Sequence, residues 1–268
     1  MSERFDPGRL AQKAERWVIK VGTSDLTDQE GKVSRQRVQS LACLVVDLWK
    51  QGKEGILVTS GAIGIGMGVL GLKNRPTDLA KLQVAAATGQ GKLVQWYTSR
   101  MEEQGFHAAQ VLLTRGDMED RQRRLNVKAT LETLLAARIV PIINENDTVS
   151  TEEIRYGDND LLSAHVATLV GADFLLILTG VGHLIGLDGQ PIHRVPKITQ
   201  QMEQAARDTD KSYSTGGMKT KLEAAKHAMS QGIPLAVMTT SGFAHLIDVL
   251  AEKGSMNPEL QGTWFIHE

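Results

Sequence analysis

Aromatic residues are scarce in this 268-residue chain, at 4%, and cysteine occurs once. With so few rings, Val, Ile, Leu and Ala must fill the interior, a mix that suits parallel strands covered on both faces by helices. A single cysteine, Cys43, excludes an intramolecular disulfide and points to a reducing compartment; its apolar surroundings read as those of a buried structural thiol. No apolar run comes near the ~20 residues that cross a bilayer, and residues 1–16 are polar and charged, unlike a secretory leader. Neither sign of charge dominates, with 30 basic against 31 acidic residues, so bulk electrostatics gives no reason to expect nucleic acid or a membrane as partner. Metal-binding His/Cys spacings and a Gly-x-Ser-x-Gly elbow are missing, and each of the seven histidines reads as a surface or packing residue. A cytoplasmic location is expected.

What the chain does have is alternation. Short β-branched runs at 17–21, 55–59, 107–112, 139–143, 174–178 and 235–238 are separated by helical patterns at 35–51, 81–104, 121–137, 160–170 and 218–231. Such β-then-α order argues for an α/β fold with an open, mostly parallel sheet between helix layers. The Gly- and Pro-rich stretch 180–196 and the polar segment after it, to Tyr213, read as surface excursions. A single domain is expected, with one lobe to about residue 172 and a second over 173–268.

In sheets of this kind ligands bind beyond the carboxyl ends of the strands, and the unusual residues collect there. The first strand ends in Lys20-Val21-Gly22-Thr23-Ser24: a lysine able to meet an anion, a glycine permitting close approach, and two hydroxyls. An ordinary surface lysine before a turn would look similar. The second strand runs into Thr59-Ser60-Gly61-Ala62-Ile63-Gly64, a glycine-rich turn opening a helix. A dinucleotide fingerprint can be spelled from Gly66, Gly68 and Gly71, but it lies too far past the strand and lacks the acidic residue that such sites use for ribose. Gly89-Gln90-Gly91-Lys92-Leu93 fails as a phosphate loop, because Leu93 replaces the magnesium-binding hydroxyl and no strand precedes it; it reads as helix interior.

Two dense polar clusters follow the fourth strand, Asn144-Glu145-Asn146-Asp147 and Gly157-Asp158-Asn159-Asp160. They can be turn and cap chemistry, or they can recognise an amino acid, carboxylates pairing with its ammonium and amides with its carboxyl. Finally, Ser214-Thr215-Gly216-Gly217-Met218-Lys219-Thr220-Lys221 leads into a helix, forming an anion cradle with a cation on its first turn. Lys219 projects differently and suits a solvated face better than Lys221 does. Two lysines, glycine loops and separate acidic clusters together suit phosphoryl transfer, which needs cations and backbone donors more than covalent chemistry. A carboxylate acceptor would need no general base.

The strings Val18-Ile-Lys-Val-Gly-Thr23, Val58-Thr-Ser-Gly-Ala-Ile63, Leu112-Leu-Thr-Arg-Gly-Asp-Met-Glu-Asp-Arg121, Ile142-Ile-Asn-Glu-Asn-Asp147, Gly157-Asp-Asn-Asp160 and Thr215-Gly-Gly-Met-Lys-Thr-Lys221 resemble the glutamate 5-kinase branch of the amino-acid kinase family, in family order over about residues 16–266. The resemblance implies a three-layer αβα sandwich around an eight-stranded, mostly parallel sheet. Glutamate would bind over the N-terminal lobe, and ATP, with Mg2+ carried by the nucleotide, over the C-terminal lobe. It implies Lys20 and Lys221 on the transferring phosphoryl group with Asp160 orienting both. Ser60, Asp147 and Asn159 would bind L-glutamate, with Asn144 shaping that site. Thr179, Gly180 and the segment Thr215, Gly216, Gly217, Met218, Lys219, Thr220 and Lys221 would take the nucleotide. The implied product is γ-glutamyl phosphate, the first intermediate of proline synthesis, with proline as feedback inhibitor and a homo-oligomer (dimer or tetramer) as common family traits. Two departures stand out. Leu178-Thr179-Gly180 replaces the family's usual Leu-Thr-Asp, and the sequence reaches Glu268 without the RNA-binding-like C-terminal (PUA) domain of many bacterial relatives, so a single-domain form without RNA binding is expected.

Overall fold

The computed structural model describes residues 6–28, 30–150, 159–180, 182–186, 189–209, 217–252 and 262–266, with the side chains of 205–209 left out. Its centre is an eight-stranded sheet of β1 (Arg16–Val21), β2 (Glu54–Val58), β3 (His107–Leu113), β4 (Ile139–Glu145), β5 (Phe174–Leu178), β8 (Arg194–Val195), β9 (Leu235–Met238) and β10 (Thr263–Phe265). The order across the sheet is β3-β4-β2-β1-β5-β9-β10-β8. All neighbours are parallel except β9 and β10. Strands β5 and β9 are buried along their whole length and β1 and β2 after their first residue, which is why they read as unbroken apolar runs rather than alternating ones.

Helices α3 (Arg35–Lys50), α5 (Leu79–Glu102) and α11 (Thr240–Glu252) form one layer, and α7 (Arg121–Ala136), α8 (Asn159–Val170) and α10 (Met218–Ser230) the other. Their starts are written in the sequence: Ser34, Asp78 and Asp120 each accept a hydrogen bond from the backbone N–H three residues on, capping α3, α5 and α7. One continuous hydrophobic core joins residues from Ala11 to Phe265.

Several elements lie where no regular structure was expected. The short helix α1 (Pro7–Lys13) is capped by Asp6, whereas α4 (Ala62–Val69) is the helix expected after the glycine-rich turn, with Gly61 at φ 103° at its start. Residues read as surface excursions form a small hairpin, β6 (Leu184–Ile185) with β7 (Pro191–Ile192), then β8 in the main sheet, then α9 (Gln200–Thr209). Strands of two or three residues have too little sequence for a period to show, so pairing rather than pattern creates them.

Candidate active site

From β1 the chain moves to β2 on one side, and from β5 it moves to the β9-β10-β8 side, so the two strands diverge at a topological switch point. The crevice beyond their carboxyl ends is where an open α/β sheet binds ligands. Lys20 occupies the penultimate position of β1, and Val21 pairs with Leu178 at the end of β5.

Three buried charges meet there. Asp160, in the first turn of α8 and wholly shielded from solvent, places Oδ1 2.5 Å from Lys20 Nζ and Oδ2 3.2 Å from Lys221 Nζ. Thr220 Oγ1 donates to the same Oδ2 at 2.9 Å, and Ser163 Oγ to the Asp160 carbonyl at 2.6 Å. Burial would raise the Asp160 carboxyl, but Lys20 and Lys221 outweigh it and hold the group below the usual carboxylate range. It is therefore an anion that fixes two ammonium groups from different parts of the chain. Both lysines are themselves nearly buried, so their charges are poorly screened toward anything entering the crevice.

Asp25, on the short helix α2 (Thr23–Leu26), faces the same lysines. Burial raises its carboxyl while Lys20 and Lys221 pull it down. A Cβ placed on Gly22 would lie 3.4 Å from Asp25 Oδ2 and 3.6 Å from Lys20 Nζ, so the glycine leaves open the space between carboxylate and ammonium. Sequence reading missed Asp25, although a carboxylate five residues past the strand-end lysine was a signal to use.

A second cluster adjoins the first through α8. Asn159, the residue before Asp160, donates through Nδ2 toward Thr59 O at 2.6 Å, Asn144 Oδ1 at 2.9 Å and Ser60 Oγ at 3.0 Å. Ser60, Asn144 and Asn159 are thus brought together from β2, β4 and α8. Asn144 is held further by Glu145 N–H, donating to its Oδ1 at 2.9 Å, and by Gln90 on α5, whose Oε1 accepts from Asn144 Nδ2 at 2.8 Å. Gln83, seven residues (about two turns) earlier on α5, donates to Ser150 O at 3.1 Å and ties that helix to the loop after β4. Asp147 sits in this loop with its carboxyl pushed up to about 7 by burial and by Glu145, against the pull of Arg75. Arg75 and Gln90 were also missed; Gln90 had a signal, falling on the buried stripe of Leu82, Ala86, Gly89, Leu93 and Tyr97.

Thr179 follows β5 and donates its backbone N–H to Met238 O at 3.0 Å, while Gly180 is exposed, with open space around it. Gly217 and Met218 open α10, and Lys219 projects to the exposed side, 4.0 Å from Glu223, away from the buried charges. Thr215 and Gly216, like Gly157, Asp158 and Ser214, lie outside the described residues. A cavity of about 670 Å³ opens beyond β3 and β4, lined by Thr114, Arg115, Asp117, Arg123, Asn146 and Ser150, beside the second cluster rather than over the lysines. Of the glycines behind the dinucleotide spelling, Gly66 packs against Ala85; Gly89, from the rejected phosphate-loop string, lies inside α5 as expected. Among the described residues no helix is long and apolar enough to cross a membrane.

The model of the amino acid kinase family matches residues 15–239. This chain belongs to the amino acid kinase family. It is similar to a protein named glutamate 5-kinase from Moorella thermoacetica, at 49% identity over 243 residues, covering 88% of this chain and 64% of the relative. Proteins of the same name from Geobacillus kaustophilus and Citrifermentans bemidjiense match at 43% and 40% identity, covering 90% and 96% of this chain and 66% and 69% of theirs. The chain therefore spans about two thirds of the length of these relatives. Carbamate kinase from Giardia lamblia, solved bound to AMP-PNP, shares the fold with a TM-score of 0.61 at 17% identity, covering 96% of this chain and 100% of that one.

Proposed function

We propose that this protein phosphorylates the γ-carboxylate of L-glutamate with ATP, giving γ-glutamyl phosphate and ADP for proline synthesis. The observation that carries the reading is Asp160 buried between Lys20 and Lys221 at the β1/β5 switch point. A phosphoryl group in transfer spreads negative charge over its oxygens, and preorganised cations stabilise it without reorganising. A γ-carboxylate oxygen attacks the terminal phosphorus, the bond to the bridging oxygen breaks, and ADP leaves. No proton has to be removed, in keeping with a crevice built of lysines rather than a general base.

In this reading residues 173–268 serve the nucleotide, through Thr179, Gly180 and the segment Thr215 to Lys221, and the part before about 172 serves glutamate. Ser60, Asn144, Asp147 and Asn159 recognise the amino acid, and Mg2+ enters on the nucleotide phosphates. The relatives named glutamate 5-kinase support glutamate as acceptor. Inhibition by proline, a homo-oligomer and a cytoplasmic location belong to the same proposal. A non-catalytic amino-acid sensor is the second reading, motivated by Gly180, and the retained contacts among Lys20, Asp160 and Lys221 count against it.

The test is ADP release with glutamate, aspartate and N-acetylglutamate as acceptors, beside Lys221→Ala. Turnover should be found with glutamate and fall by at least about 10²-fold in the variant, which should stay folded because Asp160 keeps Lys20. Turnover on another acceptor alone would overturn glutamate as substrate. Nucleotide binding without turnover on any acceptor would favour the sensor.

A further inference from the structure

Amide side chains leave their orientation ambiguous unless an unambiguous partner fixes it, and here two such partners do. The backbone N–H of Glu145 can only donate, so the Asn144 atom it meets at 2.9 Å is Oδ1, and Asn144 Nδ2 faces Gln90. Gln90 must then present Oε1, which accepts at 2.8 Å. At the other end, the carbonyl of Thr59 can only accept, so the Asn159 atom 2.6 Å away is Nδ2. The same Nδ2 lies 2.9 Å from Asn144 Oδ1, closing a directed chain from Gln90 through Asn144 to Asn159 and Ser60.

This polarity has a consequence at Asn159. With the two N–H bonds of Nδ2 shared among three acceptors, Asn159 Oδ1 is left buried without a hydrogen-bond donor among the described residues. A shielded polar atom without a partner is destabilising, so its orientation has to be enforced. The enforcement starts at Gln90, whose side chain is 8% exposed and projects from the buried stripe of α5.

We propose that Gln90 is a positioning residue of the acceptor site. Acting through Asn144, it holds Asn159 with its carbonyl oxygen reserved for a donor on the substrate, the ammonium of a free amino acid. The proposal rests on the reading of an amino-acid acceptor given above. Without the Gln90 acceptor, Asn144 Nδ2 has no partner, Asn144 is free to turn over, and its Oδ1 no longer fixes Asn159.

Steady-state kinetics of Gln90→Met and Gln90→Glu against the unaltered protein tests this, using whichever acceptor the unaltered protein turns over, with melting temperatures measured alongside. Methionine keeps the volume and removes the acceptor. Glutamate keeps an acceptor for Asn144 and replaces the donor end, Gln90 Nε2, which has no partner among the described residues, with a carboxyl oxygen. Gln90→Met should raise KM for the acceptor at least tenfold and leave KM for ATP within twofold, and Gln90→Glu should recover acceptor KM to within about threefold. An acceptor KM within twofold in Gln90→Met overturns the proposal. So does a parallel rise in both KM values, or a Gln90→Glu variant as impaired as Gln90→Met. A different acceptor would overturn glutamate as substrate and leave this comparison standing.

Discussion

At the scale of single residues, two carboxylates of the site are shifted in opposite directions from the ordinary carboxylate value. Asp160 is kept ionised by two lysines despite full burial, whereas Asp147 is raised to about 7 by burial and Glu145. A group that binds an ammonium must carry its negative charge, so Asp147 should recognise the amino acid only as it loses its proton. KM for glutamate is expected to fall about tenfold between pH 6 and pH 8, the change a single group titrating near 7 produces. Asp147→Asn should show a higher KM with no such slope, and a flat KM profile in the unaltered protein would refute the assignment. The stability effect has a definite sign. Between the ordinary carboxylate value and about 7 the folded protein binds more protons at Asp147 than the unfolded chain does, so this group's contribution to stability falls as pH rises through that window. Asp160 behaves oppositely: its contribution is present above the ordinary value and is lost as pH falls through its depressed one.

At the scale of elements, the crossing of α4 and α5 supports the second cluster, because α4 begins beside Ser60 and α5 carries Gln83 and Gln90. The helices meet backbone to backbone. A Cβ on Gly66 would stand 1.8 Å from Ala85 O, and one on Gly89 1.9 Å from Ala62 O. Gly66→Ala or Gly89→Ala should therefore cost at least about 3 kcal/mol in chemical denaturation, the upper end of overpacking penalties. Gly91→Ala, on the same helix with open space around it, should gain up to about 1 kcal/mol from helix propensity. If all three substitutions behave alike, the close crossing is wrong. The same helices mark what the sequence could reveal. The long β–α alternation, the parallel strands and the two lysines, one at a strand end and one on a first helical turn, were legible, because burial on both faces writes apolar runs and caps write Asp and Ser. Gly66 was legible only as a glycine in search of a phosphate, because its packing partner lies 19 positions away on another helix. Asp25 and Arg75 escaped for a related reason: each is an ordinary loop or short-helix charge until the fold brings it to Lys20 or Asp147. Strand β10 escaped because three residues carry no period.

At the scale of the whole molecule, the proposed glutamate and nucleotide parts share one sheet. Trp17 on β1 meets Phe174 on β5 edge-on at 4.7 Å, and Phe174 stacks on Trp264 of β10 at 5.5 Å. This aromatic column crosses four strands, from β1 past β5 and β9 to β10, and so bridges the chain on either side of residue 172. All three rings are fully buried, in a protein with few aromatics to spare. The lysines have the same layout, since Lys20 comes from one part, Lys221 from the other, and Asp160 holds both. Removing the outermost ring should consequently loosen the whole rather than one half. Trp264→Ala is expected to lose about 3–5 kcal/mol, the usual cost of deleting a buried large aromatic. Unfolding should remain one transition, with calorimetric and van't Hoff enthalpies equal. Two resolved transitions, with only the later part of the chain melting early, would mean that the sheet joins two independent folding units and that the column does not couple them.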